Sequence, residues 1–142
     1  MCHAPSVRAE TLRVVVAEDD DQLAELIMSL LDQDERYHVV ARARDGDEAV
    51  ELATVHLPDI VVMDLAMPGC DGVEATRRIR SLQPDQHVVI YTGSADYADV
   101  SRAENAGASG FLHKDALTSG DLCDALDVLH RNYVRRDDTV DT

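Results

Sequence analysis

Positive charge is scarce in this sequence: 13 Lys and Arg stand against 28 Asp and Glu, leaving a net charge of -15 over 142 residues. So acidic a chain repels nucleic acid and anionic membrane surfaces, and no direct nucleic-acid partner is expected. Long apolar runs are missing too. Nothing approaches the roughly 20 apolar residues of a membrane span, and the opening MCHAPSVRAE has no apolar signal core, so the expectation is a cytoplasmic protein. Cysteine is limited to Cys2, Cys70 and Cys123, an odd and scattered set that suits neither a disulfide framework nor a zinc site. The six histidines show no ligand spacing such as H-x-x-x-H. There is no internal repeat, no low-complexity stretch and no glycine-rich phosphate loop after the first apolar run, which disfavours nucleotide binding.

What is present is an alternation. Leu12 to Ala17 is a short β-branched run, and Leu23, Leu26, Ile27, Leu30 and Leu31 then recur at helical spacing. The same unit returns with Tyr37 to Ala43 and a helix from Asp47, and with Asp59 to Met63 and a helix from Gly72. His87 to Tyr91 follows with a helix from Ala95, then Ser109 to His113 with a helix from Thr118 to about Asn132. Strands that are apolar throughout, such as DIVVM and HVVIY, suit a parallel sheet covered on both faces. The predicted fold is therefore a doubly wound α/β domain over residues 12–132, with polar tails at 1–11 and 133–142. Pro58, Pro84, Asp45-Gly46 and Gly107 punctuate it where turns are needed. The last helix carries Leu122, Ala125, Leu126 and Leu129 on one stripe, with Asp121, Asp124 and Asp127 largely off it.

In an open parallel sheet the chemistry gathers beyond the carboxyl ends of the strands. Here those ends carry Glu18-Asp19-Asp20-Asp21, then Asp64, Thr92 and Lys114. Two unit charges 4 Å apart repel by about 4 kcal/mol at an effective dielectric near 20, so clustered carboxylates need an offset. A hard divalent cation with a preference for oxygen, Mg²⁺ or Mn²⁺, supplies it. Asp19 and Asp64 are the expected direct ligands, with Glu18 reaching through a water and the Ala66 backbone carbonyl as a further ligand. Beside such an ion a carboxylate can attack a phosphoryl donor in line, and Asp64 is the expected nucleophile. Thr92 offers a hydroxyl and Lys114 a point charge to phosphoryl oxygens. Each has a plainer reading: acids after a strand often cap helices, as Asp20 or Asp21 is expected to do, a strand-end Thr is usually structural, and a lone Lys is usually solvated. His113 reads as a strand histidine without chemistry. It is the convergence of the set that favours a site.

These residues stand in the segments VVVAEDD, PDIVVMDLAMPGCDG, VVIYTGS and AGASGFLHKD, which together resemble the receiver domains of two-component response regulators, of the CheY-like superfamily, over about Leu12 to Asn132. The resemblance implies a flavodoxin-like five-stranded sheet in order 2-1-3-4-5. It also implies phosphotransfer to Asp64 from a sensor histidine kinase or phosphotransfer protein. A switch is implied in which Thr92 is drawn toward the modified site, Phe111 moves inward behind it, and the surface of the fourth helix, fifth strand and fifth helix changes. Phosphorylation-dependent homodimerisation through that surface is a further hypothesis. Three departures stand out: Glu18 where Asp is commoner, Asp115 in place of the usual proline after the lysine, and Phe111 without a tyrosine hydroxyl. Gly93 leaves room for the phosphoryl group while Ala66 and Ser94 flank the entrance, so a short-lived signal is expected. Two alternatives remain. One is a receiver separated from a DNA-binding output. The other is a Mg-dependent Asp-nucleophile phosphatase of the haloacid dehalogenase type, which needs a general acid where this chain has Ala66; turnover of an external substrate is therefore not expected.

Overall fold

Strand residues two apart share a face, and the apolar strands of this chain use both faces. A computed structural model describes residues 11–93, 97–115 and 121–140. Its strands β1 (Leu12–Ala17), β2 (Tyr37–Ala43), β3 (Ile60–Asp64), β4 (His87–Thr92) and β5 (Gly110–His113) alternate with helices α1 (Asp21–Asp32), α2 (Gly46–His56), α3 (Gly72–Leu82), α4 (Tyr97–Ala106) and α5 (Leu122–Val140). All pairings are parallel and the sheet order is β2-β1-β3-β4-β5, as the resemblance implies.

One face sends Val15, Ala17, Val61, Met63, Val88 and Ile90 into a core with α2, α3 and α4. The other sends Val14, Val16, Ile60, Val62, Val89 and Tyr91 against Ile27 and Leu31 of α1 and Leu122 and Leu126 of α5. Each fully buried Val, Ile or Leu contributes about 1.5–3 kcal/mol, which explains why β3 tolerates no polar residue before its last position. Because β1 lies between β2 and β3, the chain reverses its direction of winding there, and the crevice opens beside the carboxyl ends of β1 and β3.

The helices before this crevice start on aspartates. Asp20 accepts from the amides of Gln22 and Leu23, Asp45 from Glu48, and Asp71 from Glu74, each worth about 1 kcal/mol. Asp20 thus takes the capping role that Glu18 and Asp19 could have held. The second helix ends at His56 with Leu57 in the left-handed region (φ 47°), directly before Pro58.

The expected start of the fifth helix at Thr118 and of the fourth at Ala95 lie outside the described residues. At its far end the fifth helix does not stop near Asn132 but continues to Val140. Its polar continuation is anchored by Tyr133, whose ring stacks on His87 and whose hydroxyl donates to the Asp85 carbonyl at 2.6 Å. Tyr133 thus ties the turn beyond Asn132 to the sheet, although no apolar stripe announces it. Among the described residues no peptide bond is cis, so Lys114–Asp115 is trans. Among them, too, no helix is long and apolar enough to cross a membrane.

Candidate functional site

Glu18 directly follows β1: its amide donates to the Ala43 carbonyl at 3.0 Å, and its carbonyl accepts from Arg42 Nε and Nη2 at 3.1 and 2.7 Å. With the backbone clamped, the side chain turns inward and is 1% exposed. Its Oε1 accepts from the Tyr91 hydroxyl and its Oε2 from the Asp20 amide at 3.0 Å. Asp64 ends β3 and is 4% exposed. Its Oδ1 accepts from the Ala66 amide at 3.3 Å and lies 3.7 Å from Lys114 Nζ. Asp19 is exposed at the rim. One carboxylate oxygen from each of Glu18, Asp19 and Asp64 lies within 4.8 Å of the others.

Such crowding has an electrostatic signature. Burial, and then the charge of Glu18, push the Asp64 carboxyl up to about 6, against the opposing pull of Lys114 and of the Ala66 N–H. The Tyr91 phenol is pushed up, chiefly by burial and then by its hydrogen bond to Glu18, so it stays a protonated donor. Three clustered carboxylates, of which only Asp64 has the Lys114 ammonium within 4 Å, fit a hard divalent cation, since oxygen ligands are in reach and Asp19 opens the site to water. Beside them runs a groove of about 490 Å³ lined by Asp19, Ala66, Met67, Asp71 and Arg102.

The remaining expected residues fall at the same edge. Thr92 is partly buried at the end of β4, and its carbonyl accepts from the Lys114 amide at 2.9 Å, which seats the lysine beside it. Phe111 pairs in register with Ile90 and is partly buried against the core under α2, α3 and α4. Alternation places Thr92, two residues beyond Ile90, on that same face. Gly93 faces the lysine, since a Cβ there would meet Lys114 Cδ at 3.5 Å; Ser94 lies outside the described residues. His113 is exposed, and its Nδ1 accepts from the Asp115 amide at 3.2 Å. Gly72 is demanded by contact: a Cβ there would sit 2.3 Å from the Asp64 carbonyl oxygen, so only glycine lets α3 begin against the residue before the bend.

Tyr91 is the site residue that sequence reasoning missed. In HVVIY it reads as one more apolar strand position. Its signal is parity and place: it is the one hydroxyl among the inward residues Val89 and Tyr91 of β4, and it sits one residue before Thr92, in register with Asp64.

The family described as the response regulator receiver domain matches residues 14–127. The transcriptional regulatory protein LnrK of Bacillus subtilis (strain 168) is 41% identical over 104 residues, covering 73% of this chain and 47% of that protein. A protein-glutamate methylesterase/protein-glutamine glutaminase of Nitrosospira multiformis is 39% identical over 108 residues, 74% of this chain and 30% of its own. The chain thus spans about half, or less, of the curated relatives it matches. Among solved structures, the signal receiver domain of the response regulator NarL from Mycobacterium tuberculosis superposes with a TM-score of 0.77 at 34% identity, covering 84% of this chain and 97% of the other. A match running from within β1 into α5, a shared sheet, and acids, hydroxyl and ammonium gathered at its carboxyl edge have one common explanation: this chain belongs to the response regulator receiver domain family of two-component systems.

Proposed function

We propose that Asp64 is the phosphoacceptor, that Glu18, Asp19 and Asp64 with the Ala66 carbonyl hold a Mg²⁺ or Mn²⁺ ion, and that the donor is a phosphohistidine on a sensor kinase or phosphotransfer protein. The observation that carries this is the convergence of three carboxylates within 4.8 Å of one another with Lys114 at 3.7 Å from Asp64. When bound, the ion supplies charge neutralisation and orientation for the phosphoryl oxygens. The carboxylate oxygen of Asp64 forms the new P–O bond as the P–N bond to the donor imidazole breaks, and the imidazole leaves with its electron pair. Lys114 holds one phosphoryl oxygen as a point charge and Thr92 donates its hydroxyl to another. Hydrolysis of the acyl phosphate ends the signal, and the open Asp19 side admits the water.

The switch runs through Thr92 and Phe111, which share a face of the sheet, to the surface of α4, β5 and α5; phosphorylation-dependent pairing of two copies through that surface belongs to the same reading. The domain works in the cytoplasm. It turns over no external ester, because a phosphatase acid two residues past Asp64 is replaced by the methyl group of Ala66. That the chain covers 47% of a transcriptional regulator favours one second reading, a receiver whose DNA-binding output lies in another segment.

The test is mass spectrometry after incubation with acetyl phosphate and Mg²⁺. One phosphoryl mass is expected on the parent and none on Asp64→Asn or Asp64→Ala. Undiminished labelling of either variant would move the acceptor elsewhere.

A further inference from the structure

Glutamate has one methylene more than aspartate, so a carboxylate at position 18 has one more torsion to fix before it can serve an ion. Two donors fix it here. The Asp20 amide is backbone, and any residue except proline supplies it. The other donor comes from a different strand: the hydroxyl of Tyr91 on β4 donates to Glu18 Oε1. Tyr91 is 2% exposed and Glu18 1%, so bulk water does not compete for this bond. Tyr91 is also placed between the functional groups. It pairs in register with Asp64 across the β3–β4 ladder, and Lys114 Nζ lies 5.5 Å from its ring centroid.

We infer that Tyr91 is a positioning residue for the divalent cation: its hydroxyl holds the Glu18 carboxylate folded back within reach of Asp19 and Asp64, and so offsets the added length of the glutamate arm. The inference rests on the metal role proposed above for the three carboxylates. Without the hydroxyl, Glu18 keeps only the local amide against the repulsion of Asp64, and its carboxylate swings away from the site. The two residues are thus a matched pair. An aspartate at position 18 is too short to meet the Tyr91 hydroxyl, and with it the tyrosine loses its influence on the ion.

The experiment is a four-protein cycle of the full chain: parent, Tyr91→Phe, Glu18→Asp and the double variant, each stripped with chelator and titrated with Mg²⁺ by calorimetry. Phenylalanine keeps the ring and its contact with Lys114, so only the hydroxyl is removed. Tyr91→Phe is expected to weaken Mg²⁺ binding on the order of tenfold, the size usual for a group that orients a metal ligand. In the Glu18→Asp background the same change should move the dissociation constant by less than about twofold. Phosphorylation by acetyl phosphate should slow at low Mg²⁺ and return to the parent rate at saturating Mg²⁺, which a mere loss of packing would not allow. Equal losses in both backgrounds, or no loss in either, overturn the pairing. If Tyr91→Phe alone does not fold by circular dichroism, the Glu18→Asp background decides: a tenfold loss there overturns the pairing and an unchanged constant supports it. A parent that binds no Mg²⁺ and takes up no phosphoryl group overturns the site reading itself, a result distinct from normal parent binding with an indifferent Tyr91.

Discussion

The two ends of the sheet bury titratable groups in opposite ways. At the carboxyl end, Glu18 and Asp64 carry like charges into near-complete burial and leave part of their repulsion unrelieved. At the amino end, His87 opens β4 at 1% exposure and packs among other rings. Its ring stacks on Tyr133 with centroids 4.3 Å apart and on His130 at 5.2 Å, and the two histidine Nδ1 atoms lie 3.0 Å apart, one donating and the other accepting. That bond requires one unprotonated nitrogen, so it cannot form with both rings charged. One end thus crowds charge, while the other packs its buried ring among further rings.

The contrast has a pH signature. Asp64 has its folded value raised from 3.8 to about 6, so in metal-free protein its contribution to stability is present below about 3.8 and lost as pH rises through 6. His130 is lowered from 6.5, chiefly by burial and against the charges of Asp59 and Asp127, so its contribution is present above 6.5 and lost as pH falls. Between these limits the two ends pull stability in opposite directions.

The largest effect should come from the histidine end. His87→Ala removes a buried ring from a stack and is expected to destabilise the chain by about 3 kcal/mol in urea unfolding, as for other large-to-small core changes. A loss below about 1 kcal/mol would mean that the stack is not part of the core. At the conflicted end the sign reverses. Asp64→Asn should stabilise metal-free protein at pH 7 by about 1–2 kcal/mol, less than the full value of the displacement because the rim at Asp19 is open to water. Mg²⁺ should raise the melting temperature of the parent more than that of the variant; equal increments would argue against ion binding at this carboxylate. The smallest effect is in slope. His130→Phe keeps a ring for stacking but cannot titrate, and it should flatten the fall in stability as pH drops below 6.5. An unchanged slope would place the acid-sensitive group elsewhere.

Much of this was legible in the residues. Continuous β-branched runs such as Val14–Val16 and Ile60–Val62 betray a sheet buried on both faces, because only that environment rewards apolar side chains at both parities. Glu18, Asp19, Asp64 and Lys114 were legible as a set because parallel strands deliver their ends to one edge. Tyr91 was not. An aromatic ring in an apolar strand satisfies the core pattern by its body, and the partner of its hydroxyl lies 73 residues away in the chain. The length of α5 was hidden for a related reason, since Tyr133 finds its stacking partner on β4, which no periodicity along the helix reports.

The absent side chain at Gly72 has a mechanical meaning. Its amide donates to the Leu65 carbonyl at 3.0 Å, and its Cα is pressed so near the Asp64 carbonyl that nothing larger than hydrogen fits between. A shift of that aspartate's carbonyl toward α3 would therefore meet helix backbone at once, with no side chain between them to absorb it.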